Sequence, residues 1–366
     1  MSHSVHGGDP AVLLQEDAPP ASGLIDFSVD LNPLGPPSLC CDLREGLDHL
    51  RLYPEPTYRD LRESAARRER VDPGQIVPGN GTADLIHLIT RANLSREAGV
   101  VVPTFTEYER AARADRLELR FAFLREEDQF RPEAAADLAS LGSAGLLFLC
   151  NPNNPTGGIW PADGLQELLG RCARESTTVV VDEAYMEFVR DDLRTSAADW
   201  LASFPNLIVL RSLTKILALP GLRLGYLIAG RPLADRLRAI QPPWAVNGLA
   251  AWAGKELLEW QGLAEFLTAS RRATEIGRSF LEEGLAGLGF QPVPSQANFI
   301  LSRWNGADRS TADLARALLR QGILVRLCDD FTGLAPGRYL RFAVRGTQEI
   351  TRLLDALEEE VRPHAG

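Results

Sequence analysis

Between about residue 75 and residue 230 the chain alternates short apolar runs with longer stretches patterned at helical spacing. The runs are Gly99-Val100-Val101-Val102, Gly145-Leu146-Leu147-Phe148-Leu149, Thr178-Val179-Val180-Val181 and Leu207-Ile208-Val209-Leu210. None alternates apolar with polar positions, so neither face of such a strand is meant to meet water. Helix-length segments such as Pro161 to Glu175 separate the runs. This order predicts an α/β architecture, a mainly parallel sheet covered by helices on both faces, with ligands at the carboxyl ends of its strands.

The flanks follow other patterns. The first 45 residues are rich in Pro and Gly, and Asn32-Pro33-Leu34-Gly35-Pro36-Pro37 reads as extended chain and turn, an arm rather than a domain. After Pro242-Pro243 come long amphipathic helices over about 248–288. The strands Asn298 to Leu301 and Tyr339 to Val344 follow, a pattern that fits a smaller α+β domain. The expected organisation is an arm over 1–45, a large domain over 46–245 and a small domain over 246–366.

At 366 residues, 45% hydrophobic and 24% charged, the chain is long enough for about two domains with a large core. A net charge of -10 argues against a nucleic-acid partner held by phosphate contacts, and no basic DNA-binding segment accompanies the sheet pattern. The first 40 residues hold no Lys or Arg, and no apolar stretch reaches membrane-spanning length, so neither a secretory signal nor a membrane partner is expected. Cys40, Cys41, Cys150, Cys172 and Cys328 are odd in number and lack metal-ligand spacing. They suit reduced thiols in a cytoplasm, with no disulfide and no structural metal.

The candidate chemistry clusters behind the strands. Only two of the 39 basic residues are lysines, and Lys215 follows the run ending at Leu210. An arginine cannot form an imine, whereas a tuned lysine amine attacks carbonyls. Taken alone, Lys215 is equally a strand-end surface charge, as Lys255 is expected to be. Gly79-Asn80-Gly81-Thr82 opens an amphipathic segment, which reads either as an anion cradle at a helix start or as a tight turn capped by Thr82. Ser212 and Arg223 flank Lys215 and could add a hydroxyl and a guanidinium to the same phosphate. Asp182 leaves a buried strand end, where a carboxylate needs a partner such as a protonated ring nitrogen, with helix capping as the plainer alternative. Tyr185 stands three residues on. Asn154 sits in the turn-dense Asn151-Pro152-Asn153-Asn154-Pro155-Thr156-Gly157, where paired prolines restrict the backbone.

In order and spacing, Asn151 to Gly157, Asp182-Glu183-Ala184-Tyr185, and Ser212-x-x-Lys215 with Arg223 resemble the class I/II pyridoxal-phosphate enzymes of the aspartate-aminotransferase fold, fold type I. The resemblance implies that pyridoxal 5'-phosphate is bound as an imine on Lys215. Asp182 then pairs with the ring nitrogen, Tyr185 and Asn154 hydrogen-bond the ring oxygen, and Phe105 stacks on the ring. It assigns Gly81, Thr82, Ala83, Ser212 and Arg223 to the cofactor phosphate, with Tyr53 reaching in from a second subunit of a homodimer.

Within the family the chain is most similar to the threonine-phosphate decarboxylases of the cobalamin pathway, and next to the histidinol-phosphate aminotransferases. His6-Gly7-Gly8, Asp26-Phe27-Ser28, Thr104-Phe105-Thr106-Glu107-Tyr108 and Gly322-Ile323-Leu324-Val325-Arg326 carry the first likeness, and Tyr185-Met186-Glu187-Phe188 the second. The resemblance implies a small, doubly anionic amino-acid substrate. Arg341 clamps one acid group, Arg326 assists with the other, and His6 and Gly7 close over the substrate phosphate. One position departs: Asp30 stands where the decarboxylase pattern has Asn. If it faces the substrate carboxylate, like charges meet and binding weakens, unless the carboxyl group is protonated or the substrate differs; the same repulsion would assist loss of the carboxyl group.

Overall fold

The computed structural model describes residues 23–38, 45–92, 94–134, 138–306 and 309–361. His6, Gly7, Cys40 and Cys41 lie outside them.

The strands are β1 (Ile25–Asp26), β2 (Ile76–Gly79), β3 (Glu97–Val102), β4 (Glu118–Phe123), β5 (Leu146–Cys150), β6 (Thr178–Asp182), β7 (Leu207–Ser212), β8 (Gly225–Ala229), β9 (Phe290–Pro292), β10 (Phe299–Trp304), β11 (Ile323–Leu324), β12 (Arg326–Leu327) and β13 (Tyr339–Ala343). Seven form one sheet in the order β2-β8-β7-β6-β5-β3-β4. The pairs among β3, β4, β5, β6 and β7 are parallel, and β8 runs antiparallel to both of its neighbours. Side-chain alternation explains why the central strands carry no polar face. Val179 and Val181 enter one core while Val180 enters the other, and Leu207 and Val209 oppose Ile208 and Leu210 in the same way. Each such aliphatic side chain removed from water contributes about 1.5–3 kcal/mol, so covering both faces is what holds the sheet.

The helices are α1 (Arg59–Glu69), α2 (Gly81–Arg91), α3 (Glu107–Ala114), α4 (Ala162–Arg174), α5 (Leu213–Ile216), α6 (Arg231–Ile240), α7 (Gly248–Glu259), α8 (Leu263–Gly287), α9 (Thr311–Arg320) and α10 (Thr347–Val361). The expected helix over Pro161 to Glu175 is α4, and the helical stretch over 248–288 divides into α7 and α8. Strands β2, β4 and β8 were not singled out by apolar runs. β2 is four residues with an internal proline, and β4 alternates exposed with partly buried positions. Gly145, read as the start of a strand, is a left-handed turn residue (φ 74°) beside Ser95 instead, and β5 begins one residue later.

A second, antiparallel sheet has the order β12-β13-β10-β9. A third core cluster joins it to helices: Ile300, Leu340 and Phe342 meet Leu281, Leu314 and Leu353. The arm is tied to this unit, because Ile25 and Asp26 of β1 pair in parallel with Ile323 and Leu324 of β11, and Phe27 enters the same core. Residues 28–30 are thereby carried to the gap between the two sheets. No helix of the described residues is long and apolar enough to cross a membrane.

Candidate active site

A cavity of about 510 Å³ opens where the large sheet meets the second unit. Its walls come from the carboxyl ends of the parallel strands: Phe105 beyond β3, Cys150 and Asn154 at β5, Asp182 and Tyr185 at β6, and Ser212 and Lys215 at β7. Gly81, Thr82, Ala83 and Arg223 line one end, and Asp30, Arg326 and Arg341 the other. Among the sequence-derived candidates in the described residues, Tyr53 alone is absent from these walls. It is 79% exposed, with its ring 4.6 Å from that of Trp244.

At the first end, α2 begins at Gly81 with Asn80 as its N-cap, and no side chain caps the turn. Thr82 is therefore not the capping residue. The uncapped N–H groups and the helix dipole leave this end suited to an anion. Gly81 has φ +81°, and a Cβ there would lie 2.7 Å from Arg223 Nη2, so only glycine lets the guanidinium approach. Among the described residues Arg223 has no carboxylate partner; Nη1 donates to the Pro220 carbonyl at 3.3 Å. Ser212 Oγ and Thr214 Oγ1 lie 2.8 Å apart on the same wall.

Lys215 is carried on α5, one short turn after β7. Burial drives its amine below the ordinary lysine range. Asp30 and Asp182 oppose that shift, and Arg341 and Arg223 reinforce it. A neutral amine is the nucleophilic form. Lys255, by contrast, pairs on the surface with Glu256 at 2.9 Å.

Asp182 accepts from Tyr108 Oη at 2.8 Å and from the Ala184 N–H at 3.1 Å. Burial nevertheless raises its carboxyl from 3.8 to about 6, because neither donor brings a full positive charge. Tyr108 was quoted only as part of a motif, without a role. Its ring stacks on Phe148 and meets the edge of Phe105. The available signal was its place one helical turn after Phe105, behind the strand end that carries that residue.

The far end is dominated by Arg341. Its Nη2 lies 2.6 Å from Asp30 Oδ1 and donates to the Ser28 carbonyl at 3.0 Å, and its Nη1 donates to Asn154 Oδ1. Asp30 Oδ2 accepts from Tyr185 Oη at 2.9 Å. Asn154 and Tyr185, assigned by resemblance to a ring oxygen, thus hold the Arg341–Asp30 pair in this structure. Arg326 is no solvated strand-end charge. It is buried, pairs with Asp330 at 2.8 Å and lies over the Phe331 ring.

Residues 46–357 match the family described as Aminotransferase class I and II. The chain belongs to the class I and II aminotransferases. Its cofactor is pyridoxal 5'-phosphate and its fold is fold type I. The chain is similar to proteins of two kinds. Threonine-phosphate decarboxylase of Salmonella typhimurium is 37% identical over 98% of this chain and 96% of its own. The crystal structure of the histidinol-phosphate aminotransferase from Clostridium acetobutylicum superposes with a TM-score of 0.82, at 29% identity, over 92% of this chain and 99% of that one. The crystal structure of histidinol-phosphate aminotransferase from Sinorhizobium meliloti in complex with pyridoxal-5'-phosphate superposes with a TM-score of 0.78, at 25% identity, over 91% of this chain and 89% of that one.

The cavity of this class I/II enzyme fits that cofactor on three counts. It offers a buried amine at Lys215, a buried carboxylate short of a cation at Asp182, and an uncapped helix start beside a guanidinium that has no acid partner among the described residues.

Proposed function

We propose that this enzyme decarboxylates a phosphorylated amino acid, L-threonine O-3-phosphate, to aminopropanol phosphate, as in the cobalamin pathway, and that it works in the cytoplasm as a homodimer. The observation that carries the reading is the pair Arg326 and Arg341. They stand directly opposite each other across β12 and β13, so both guanidiniums leave the same face of the sheet, and both line the cavity. Like charges so placed repel unless anions answer them, and Asp30 and Asp330 do so here. A ligand with a phosphate and a carboxylate brings each guanidinium a further anion.

Pyridoxal phosphate provides the electron sink for bonds at the carbon bearing the substrate amine. The chain's own part is to hold and orient. Arg223, Ser212 and the start of α2 would fix the cofactor phosphate, Asp182 would keep the ring nitrogen protonated, and Phe105 would pack on the ring. Arg326 and Arg341 would orient the substrate so that the carboxylate, not the hydrogen, is the group that leaves, as carbon dioxide. Lys215 would replace it with a proton on the same carbon.

A second reading, an aminotransferase of the histidinol-phosphate type, has one feature in its favour: Tyr185-Met186-Glu187-Phe188 is more like that group. The two separate in a direct assay. Purified holoenzyme given phosphothreonine is expected to release carbon dioxide. Glutamate formation from 2-oxoglutarate and histidinol phosphate, without gas from phosphothreonine, rejects the decarboxylase.

The dimer rests on an apolar patch that one chain leaves bare: Leu47, Leu50, Leu52, Tyr53 and Trp244 are all exposed. In a dimer sharing its sites, Tyr53 reaches the cofactor phosphate of the other subunit. Tyr53→Phe is therefore expected to weaken cofactor retention about tenfold, the worth of one hydrogen bond to a charged group. Equilibrium dialysis measures it, and unchanged retention counts against shared sites.

A further inference from the structure

Asp30 gives the cavity an internal anion at the end where a substrate anion is to be held. The carboxylate is buried, 2.6 Å from Arg341 Nη2, and fixed from the other side by the Tyr185 hydroxyl at 2.9 Å. The other donors of that guanidinium are partly used as well, by Asn154 and by the Ser28 carbonyl. Any ligand carboxylate that reaches Arg341 must share one cation with Asp30, and the burial of both side chains limits how far water screens the repulsion. We infer that Asp30 is a specificity-determining residue that cancels the affinity of this end of the site for a ligand carboxylate, so that the phosphate, not the carboxyl group, carries binding.

The inference rests on the proposed reading of the cavity as the place for a phosphorylated amine. Under that reading it has a direct consequence. Repulsion by Asp30 raises a substrate carboxylate in energy relative to the neutral carbon dioxide it becomes, and the product that lacks it binds no worse. The substrate phosphate is not affected in the same way, because Asp330, the partner of Arg326, is more exposed than Asp30.

Two ligands that have no amine, and so cannot react, test this on the holoenzyme. 3-Phosphooxybutanoate carries both anionic groups, and isopropyl phosphate is the same skeleton without the carboxylate. In calorimetric titrations the wild-type protein is expected to bind the two within about threefold of each other. Asp30→Asn is expected to tighten 3-phosphooxybutanoate about tenfold or more, the scale of one charge-assisted hydrogen bond regained, while leaving isopropyl phosphate unchanged. Wild-type protein that binds the carboxylate ligand more than about tenfold tighter overturns the inference, whether or not the variant folds. Equal tightening of both ligands by Asp30→Asn also overturns it. Failure of the wild type to bind either ligand overturns the phosphorylated-substrate reading, and the inference with it.

Discussion

Lys215→Ala is expected to abolish turnover with every substrate, a loss of about 10⁴-fold or more, since proton transfer alone is worth about 10²–10⁴ and the covalent anchor goes with it. No other lysine can substitute. The only one in the chain, Lys255, is engaged on the surface by Glu256 and Glu259. Borohydride reduction and peptide mass analysis check the structural half, with a pyridoxyl adduct expected on Lys215 of the wild type and none on the variant. An adduct elsewhere, or a variant of normal activity, removes the basis for the mechanism.

Asp182→Asn is expected to lower kcat about 10²–10³-fold, because a neutral amide no longer stabilises positive charge on the ring nitrogen as electrons flow toward it. Steady-state kinetics at saturating cofactor separate this from weaker cofactor binding. The same substitution has a signature in the cofactor-free protein. Burial raises the Asp182 carboxyl to about 6 from 3.8, so the fold prefers the protonated acid. The folded state then binds more protons than the unfolded chain between those values. The contribution of Asp182 to stability therefore falls as pH rises from about 4 to about 6, by about 3 kcal/mol in total, and stays lower above it. Urea unfolding across that range should show wild type losing stability relative to Asp182→Asn by that amount. A wild type whose stability does not differ from the variant's in slope leaves Asp182 already paired without the cofactor.

The sequence and the structure divide the site unequally. Buried strands β3, β5, β6 and β7 were legible because strands covered on both faces have no polar alternation. Their carboxyl ends were legible because Phe105, Asn154, Asp182 and Lys215 each stand within a few residues of such a run. β2 was not, since it carries a proline, and the apolar run of β8 was not, since so short a run does not by itself distinguish a strand from a buried helix segment. Tyr108 was missed as the donor to Asp182 because the two are 74 residues apart and no local pattern ties them.

Asp30 shows the same limit more sharply. The sequence leaves open whether its side chain faces a substrate carboxylate. In the fold its partners are Arg341 and Tyr185, the latter 155 residues away.

By itself, then, the sequence determined the family, the cofactor and the strand ends that line the cavity, since each depends on short motifs and on burial periodicity, which are local in the chain. The pairing of charges inside the cavity was decided only by the tertiary structure. Electrostatic partnership depends on distance and dielectric in the folded molecule, and β1 must first dock on β11 before Asp30 meets the guanidinium that neutralises it.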